Sequence, residues 1–227
     1  MTDLPAYLLP RPPMPDDAAT IAAFERLYAV IATAGGGEIA YDLAAPRWQF
    51  LCYLTDTKNI VLHGSGNPAI ANFEPRKSND VNEFGDRRAI YAASDGIWPL
   101  YFAILDRDRY GMSLINSAVR VHRERGHRSA PFYFFSITRE ALAHKPYRRG
   151  TIYILPRESF EQQAPQTHQG RTIDPLQWAS AVPVAPFARL AVGPEDFPFL
   201  DRMRGHDDES TFARARQDPD GFPWLDE

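Results

Sequence analysis

The sequence has 227 residues, of which 44% are hydrophobic and 24% are charged, and its formal net charge is −4 at pH 7. This composition is typical of a folded globular protein, and the negative charge disfavours a general polyanion binder, because nonspecific nucleic-acid affinity comes from neutralising phosphates. The single cysteine, Cys52, excludes an intrachain disulfide and an all-cysteine metal site, and its apolar neighbours indicate a buried side chain. Because no apolar segment approaches the roughly 20 residues of a membrane span and the first residues lack the pattern of a signal peptide, we expect a cytoplasmic protein that does not enter a membrane.

The predicted elements begin with a proline-rich arm, residues 1–15, which is extended because repeated prolines remove backbone hydrogen-bond donors. A helix follows the arm. Asp16 and Asp17 suit its N-terminal end, apolar residues then recur at helical spacing, and Gly35–Gly37 stop it. This helix is expected to pack on the core.

Further along the chain, short β-rich runs alternate with Gly, Pro and Asp. The predicted strands are NIVLHG (59–64), RRAIYAAS (87–94), SLINSAVRV (113–121), PFYFFSIT (131–138), GTIYILP (150–156) and a last stretch with QWASAVPV (177–184) and ARLAV (188–192). One helix, roughly residues 95–105 with Ser94 or Asp95 as its N-cap, interrupts them. A single helix between strands favours an α+β fold with a largely antiparallel sheet over a doubly wound parallel sheet. Residues 16–200 are predicted to form one domain, and the acidic tail, 201–227, is expected to wrap its surface without forming a core element.

Two predicted strands carry candidate binding residues. His63 ends the apolar run VLHG, and Gly64 and Gly66 after it allow a ligand to approach the backbone closely. For an isolated His-Gly a structural turn is the favoured interpretation, and Ser65 does not fit the nucleophile-elbow motif. Tyr91 lies in the next strand, which runs into an aromatic-rich helix. The histidine, the tyrosine and a helix aromatic together predict a slot for a flat ring.

These motifs resemble the ADP-ribosyltransferase superfamily, in the branch that carries His, Tyr and Glu on three separate strands. The resemblance rests on VLHGSG and on AIYAASD with its following helix, and it covers about residues 58–192. It implies a split antiparallel β core and NAD as the substrate. By this resemblance His63 contacts the ribose of NAD and Tyr91 stacks on the nicotinamide ring. The backbone of Gly64 and Ser65 then holds the carboxamide.

The same resemblance assigns the remaining site residues. Phe102 is the candidate for a second stacking aromatic, with Tyr101 as a less favoured candidate and a place in the helix core as the alternative for Phe102. The third signature position falls at Gln177, where glutamine can hydrogen-bond but lacks the charge and basicity of the usual glutamate. Glu158 or Glu161 would supply the carboxylate if the last strands align differently. Arg76, in the polar loop between the two signature strands, is the candidate for pairing with a pyrophosphate.

The resemblance implies a NAD-dependent ADP-ribosyltransferase that cleaves the nicotinamide–ribose bond and transfers ADP-ribose to a protein, a nucleic acid or water. One alternative is a catalytically inactive module that binds NAD or ADP-ribose. Another is an RNA 2′-phosphotransferase-like enzyme, which the acidic net charge disfavours. The histidines lack ligand spacing, so no structural metal is predicted. The basic segment 120–128 is interpreted as a solvated hairpin tip, with a nucleic-acid contact as the less favoured reading.

Overall fold

The computed structural model describes residues 4–78, 83–123 and 126–225. Within these residues the helices are α1 (Ala18–Thr33), α2 (Arg47–Thr57), α3 (Trp98–Ile104), α4 (Arg139–Ala143) and α5 (Asp208–Gln217). The strands are β1 (Leu9–Pro10), β2 (Gly37–Glu38), β3 (Ile60–Ser65), β4 (Arg76–Lys77), β5 (Arg88–Ala93), β6 (Leu114–Val121), β7 (Phe132–Thr138), β8 (Gly150–Pro156), β9 (Glu161–Gln162), β10 (Gln166–His168), β11 (Arg171–Pro175), β12 (Gln177–Ser180), β13 (Ala188–Val192) and β14 (Arg204–His206). The predicted α+β class is confirmed.

The described strands form two sheets. The first sheet runs β1-β7-β6-β11-β10, with β14 beside β7, and the second runs β2-β13-β8-β3-β5-β12-β9, with β4 beside β5. Neighbouring strands are antiparallel except for two pairs in the described part, β2 with β13 and β14 with β7. The main core takes residues from both sheets and from α1, α2 and α3, whereas a smaller cluster lies on the other face of the second sheet. The second sheet is therefore covered on both faces near β3 and β5.

Helix α1 begins and ends where the sequence predicts. Asp17 caps it by accepting a hydrogen bond from the backbone N–H of Thr20 at 2.8 Å, and Phe24 and Ile31 are buried. The chain then turns through glycines with positive φ. At Gly36 a Cβ would lie 1.8 Å from the backbone oxygen of Phe187, so the turn needs a glycine for contact as well as for conformation.

Helix α2 is not predicted from the sequence pattern. Its residues Trp48, Phe50 and Cys52 are buried in different directions around the helix, so the narrow apolar stripe of a surface helix is missing. Pro46 at its N-cap offers no side-chain hydrogen bond, which removes the usual start signal. Cys52 is free and buried, as predicted, and burial raises the pKa of its thiol.

Helix α3 starts from a buried carboxylate. Asp95, one of the two residues predicted to cap the helix, accepts hydrogen bonds from the backbone N–H groups of Ile97 and Trp98, both at 2.8 Å. Its second oxygen accepts a hydrogen bond from the Tyr133 hydroxyl on β7 at 2.6 Å. Tyr101 of the helix donates to a backbone oxygen of the same strand at 2.7 Å. These bonds tie α3 to the first sheet while its backbone packs on the second.

The segment after Arg202 enters the fold, which corrects the prediction of a tail that only wraps the surface. Strand β14 pairs in parallel with β7, and its residue His206 is buried. Helix α5 follows, capped by Asp207, which accepts a hydrogen bond from the backbone N–H of Ser210 at 2.9 Å. A three-residue strand, Arg-Gly-His, carries too little alternation to be recognised from its sequence. In the described part of the chain, no helix has both the length and the apolar character needed to cross a membrane.

Two predicted loops lie partly outside the described residues. Strands β6 and β7 pair antiparallel on either side of the basic segment 120–128, in which residues 124 and 125 are outside the described part. The polar loop between β3 and β5 contains residues 79–82, which are also outside it. The flanking strand β4 pairs antiparallel with the start of β5, so this part of the loop is joined to the second sheet.

Candidate functional site

Strands β3 and β5 are neighbours that diverge near His63. Strand β3 pairs with β8 along its whole length, from Ile60 to Ser65. With β5, in contrast, β3 forms one residue pair within the described residues, Leu62 with Ala93. Beyond this pair the two strands separate, and the second sheet opens at the end of β3 that carries the His-Gly motif.

The imidazole of His63 bridges this opening. Its Nδ1 lies 2.7 Å from the backbone oxygen of Tyr91, and because a carbonyl oxygen only accepts, Nδ1 carries the proton. Burial lowers the pKa of His63, against a smaller opposite effect of the bond to Tyr91. At neutral pH the ring is therefore uncharged, and its Nε2 is a hydrogen-bond acceptor. The ring also packs edge-on against Phe73, with the ring centroids 4.8 Å apart.

The side chains of His63 and Tyr91 lie on opposite faces of the sheet. Leu62 and Ala93 are paired and share the face of the main core, so Tyr91, two residues before Ala93, has that face too. His63 follows Leu62 and lies with Phe73 on the other face. The Tyr91 hydroxyl is directed back along its own chain, 2.9 Å from the backbone oxygen of Arg87. The two side chains are thus not brought into one slot, and His63 meets the backbone of Tyr91 instead.

Helix α3 presses directly on Gly64. A Cβ at this position would lie 1.8 Å from the backbone oxygen of Pro99. On the adjacent strand β8, a Cβ at Gly150 would lie 2.1 Å from the backbone oxygen of Ala103. Gly64 therefore permits the close approach of a helix backbone. The Ser65 hydroxyl accepts a hydrogen bond from a backbone N–H of the following loop at 3.1 Å.

A cavity of about 1270 Å³ lies against α3 and the first sheet. Two predicted site residues line it, Phe102 from α3 and Gln177 at the start of β12. Trp98 lines it one helical turn before Phe102, and its indole N–H donates to the Asn116 side chain on β6 at 2.7 Å. The lining therefore offers aromatic rings next to amide groups, a combination that suits a flat polar ligand.

The charge of this cavity is mainly positive. Its described lining includes Lys77, Arg107 and Arg171, and Asp220 is the acidic residue among them. Lys77 also pairs with Asp86 at 2.6 Å, so part of its charge is already compensated. Such a lining favours an anionic ligand, because guanidinium and ammonium groups donate several hydrogen bonds to phosphate or carboxylate oxygens.

The strand order connects this cavity to the opening at His63. Strand β12 is the neighbour of β5 on the side away from β3, and Gln177 pairs in register with Ala93. Gln177 thus has the same sheet face as Tyr91 and lies one strand away from it. Strand β4 also pairs with β5 and brings Lys77 into the cavity lining. Two strands that pair with the strand of Tyr91 therefore contribute residues to the cavity.

The acidic and basic residues considered from the sequence lie elsewhere. Glu158 is exposed and accepts a hydrogen bond from the Asn59 side chain at 3.0 Å, at the end of β3 away from His63. Glu161 is exposed and pairs with Arg87 at 3.3 Å. Arg76 is exposed on β4, outside the described lining of the cavity. These groups do not supply a carboxylate or a cation to the cavity.

Asn116 and Gln163 are lining residues that sequence reasoning did not single out. Asn116 interrupts the apolar run of β6, and a polar residue inside a strand of this kind is the signal that would have marked it. Gln163 is buried although it carries an amide, but nothing in its sequence neighbourhood distinguishes it from a surface glutamine.

The chemistry available at this site comes from amides, hydroxyls, aromatic rings and cations. Among the described residues, no group of three or more His, Cys, Asp and Glu side chains is arranged to hold a metal ion. Comparisons of the chain with protein-family models, curated proteins and solved structures found no match. The site therefore favours binding by stacking, hydrogen bonding and charge.

The pH dependence of stability provides a test of the buried histidines. Burial lowers the pKa of His63, His168 and His206, whereas an unfolded histidine titrates near about 6.5. The unfolded chain therefore binds more protons below this pH, and the free energy of unfolding decreases as the pH falls. We expect a lower urea midpoint at pH 5.5 than at pH 7.5. Equal midpoints at the two pH values would contradict the assignment.

Proposed function

We propose that this chain binds NAD in the manner of an ADP-ribosyltransferase and cleaves the nicotinamide–ribose bond. The observation that carries the proposal is the cavity that Phe102 and Gln177 line together. The strand of Gln177 is the neighbour of the strand that holds Tyr91, and the strand of His63 lies on the other side of the latter. Three neighbouring strands, β3, β5 and β12, thus carry the three positions of the resemblance in adjacent places. His63, Tyr91 and Gln177 are distant in sequence, so their places on neighbouring strands arise from the fold. This arrangement supports the proposal.

Each part of NAD has a complementary group at the site. Trp98 and Phe102 offer rings against which the nicotinamide or adenine can stack. The pyrophosphate suits a cation of the lining, either Arg107, which follows α3, or Arg171 on β11. Gln177 is a hydrogen-bond partner for a ribose hydroxyl, since its amide both donates and accepts. His63 lies on the opposite face of the sheet and contributes by holding the backbone oxygen of Tyr91 through its Nδ1–H.

Bond cleavage in this proposal depends mainly on positioning and electrostatics. The bond between the anomeric carbon and the nicotinamide nitrogen breaks, nicotinamide leaves as a neutral ring, and positive charge develops on the ribose. The side-chain oxygen of Gln177 can orient a ribose hydroxyl and place a partial negative charge near that cation, but it cannot remove a proton from the acceptor. The proposed reaction is therefore slow, and the acceptor is water or a group that is already nucleophilic.

A second candidate function is binding of NAD or ADP-ribose without cleavage. The positions of the carboxylates favour this candidate. Gln177 stands where the resemblance expects a glutamate, and Glu158 and Glu161 contact other residues outside the cavity. Such a module would keep the stacking and cationic groups and would report the level of the nucleotide. Cleavage and binding are thus separate measurements on the same site.

The test combines both measurements on the full chain. NAD labelled in the adenylate part is incubated with the protein, and free nicotinamide and labelled products are followed beside a calorimetric titration. We expect nicotinamide release and binding to be lost together in Phe102→Ala. The matched control is Phe212→Ala, an exposed aromatic of α5 in the lining of the same cavity. Binding without release would favour the second candidate, and a folded protein that neither binds nor cleaves NAD would contradict both.

A further inference from the structure

A second cluster of reactive side chains lies where β14 and α5 meet the first sheet. The Ser113 hydroxyl, just before β6, is 2.6 Å from Nε2 of His206 on β14. The Nδ1 of the same imidazole is 2.8 Å from the Ser136 hydroxyl on β7. Asp208, the first residue of α5, accepts from Ser113 at 2.8 Å and from Thr138 at 2.9 Å. A serine just before β6 thus meets a histidine and a carboxylate from the C-terminal segment.

The hydrogen bonds around His206 can form one continuous chain of donors and acceptors. Ser136 is fully buried and donates to the backbone oxygen of Arg204 at 3.1 Å, which leaves its oxygen free to accept the Nδ1–H of His206. With the proton on Nδ1, the lone pair of Nε2 faces the Ser113 oxygen, and the hydroxyl, which donates to Asp208 in the structure, rotates toward Nε2 when the histidine acts as the base. This is the arrangement in which a histidine removes a proton from a serine, with a third group holding the ring.

Asp208 is placed to stabilise the charged form of His206. Its Oδ1 is 3.3 Å from Nε2, and the carboxylate is 44% exposed whereas the imidazole is completely buried. Burial lowers the pKa of His206, which Asp208, Asp207 and Glu140 oppose and the Arg139 charge reinforces. The ring is therefore neutral and able to accept a proton at pH 7, and the imidazolium formed by proton transfer has a carboxylate beside it.

Ser113 also has access to a binding space. It lines the large cavity together with Met112 and Leu114, and α5 contributes Phe212 and Ala215 to the same lining. These neighbours are apolar and differ from the amide and aromatic groups around Gln177. The surroundings of Ser113 suit an apolar acyl chain.

We propose that Ser113 is a nucleophile, with His206 as its base, for carboxylic esters that carry an apolar acyl group. The Ser113 oxygen bonds to the acyl carbon while its proton passes to Nε2 of His206. The ester C–O bond then breaks, the leaving alcohol takes the proton, and the acyl group stays on Ser113. Water attacks the acyl-serine by the same route in reverse and releases the carboxylic acid. Ser136 is a positioning residue in this scheme, because it acts only through the imidazole.

The test is covalent labelling of the full chain with an alkyl fluorophosphonate. The Ser113 oxygen displaces fluoride from phosphorus and His206 takes the serine proton, so mass spectrometry of peptides identifies the phosphonylated residue. We expect label on Ser113, its complete loss in Ser113→Ala, and unchanged labelling in Ser117→Ala. Ser117 is the matched control because it lines the same cavity on β6. A folded protein that leaves Ser113 unlabelled while a serine hydrolase in the same tube reacts would overturn the proposal.

Two further variants separate catalysis from structure. His206→Gln should slow labelling by about 10²-fold. Ser136→Ala should slow it severalfold and alter its pH profile, because the ring then loses the acceptor of Nδ1–H. Circular dichroism identifies the variants that keep the fold. If both folded variants label Ser113 at the unsubstituted rate with an unchanged pH profile, the serine reacts without His206 and the proposal fails.

Discussion

Replacing Gln177 by Glu is expected to raise the rate of nicotinamide release from NAD by on the order of 10²-fold. The carboxylate would stand at the start of β12, one strand from Tyr91 and in the lining of the cavity. There it would stabilise the positive charge that develops on the ribose and would accept a proton from the attacking group. The substitution preserves shape, and Gln177 is only partly buried, so the fold should tolerate the charge. The rate is followed as free nicotinamide at saturating NAD.

The matched control is Gln166→Glu. This residue lines the same cavity on β10, is also partly buried, and receives the same change in charge. An equal acceleration in both variants would attribute the effect to the charge of the cavity as a whole, against a specific role of position 177. A Gln177→Glu protein that binds NAD as before but releases nicotinamide no faster would contradict the assignment of this position.

Much of the fold is predictable because several strands of six to eight residues contain short apolar runs. This is so for β3, β5 and β6, and the bounds of α1 follow from a capping aspartate and terminal glycines. Helix α2 escapes prediction since burial on several sides removes its periodicity. Strands β10, β11 and β14 escape because they are short and polar, so that only their partners in the first sheet make them strands.

The candidate site is predictable in its positions but not in its geometry. The motif places His63 and Tyr91 on adjacent strands, as observed, but their opposite faces follow from the pairing of Leu62 with Ala93. The alternation of side chains within one strand does not reveal its register with the neighbouring strand. A shift of that register by one residue moves every side chain to the other face of the sheet. The cavity itself depends on segments that are far apart in sequence, so that Asn116 and Gln177 become neighbours of one space only in the folded chain.

Gly64→Ala is expected to lower the free energy of unfolding by about 2–4 kcal/mol. The added methyl group would lie 1.8 Å from the backbone oxygen of Pro99 and 3.1 Å from the backbone nitrogen of Ala103. Neither atom can move alone, because both belong to α3, which Asp95 holds at its start. Relief of the contact therefore requires that the whole helix move away from the second sheet.

The displaced helix would carry Trp98 and Phe102 with it, so NAD binding in the variant should weaken along with stability. Gly111→Ala is the matched control, since a Cβ there meets no atom within 4 Å and its φ is not positive. Its free energy of unfolding should stay within about 0.5 kcal/mol of the unsubstituted value. Urea unfolding of the three proteins measures the difference. Equal midpoints for Gly64→Ala and Gly111→Ala would mean that α3 does not press on β3, and that the packing which shapes the aromatic side of the cavity is looser than described.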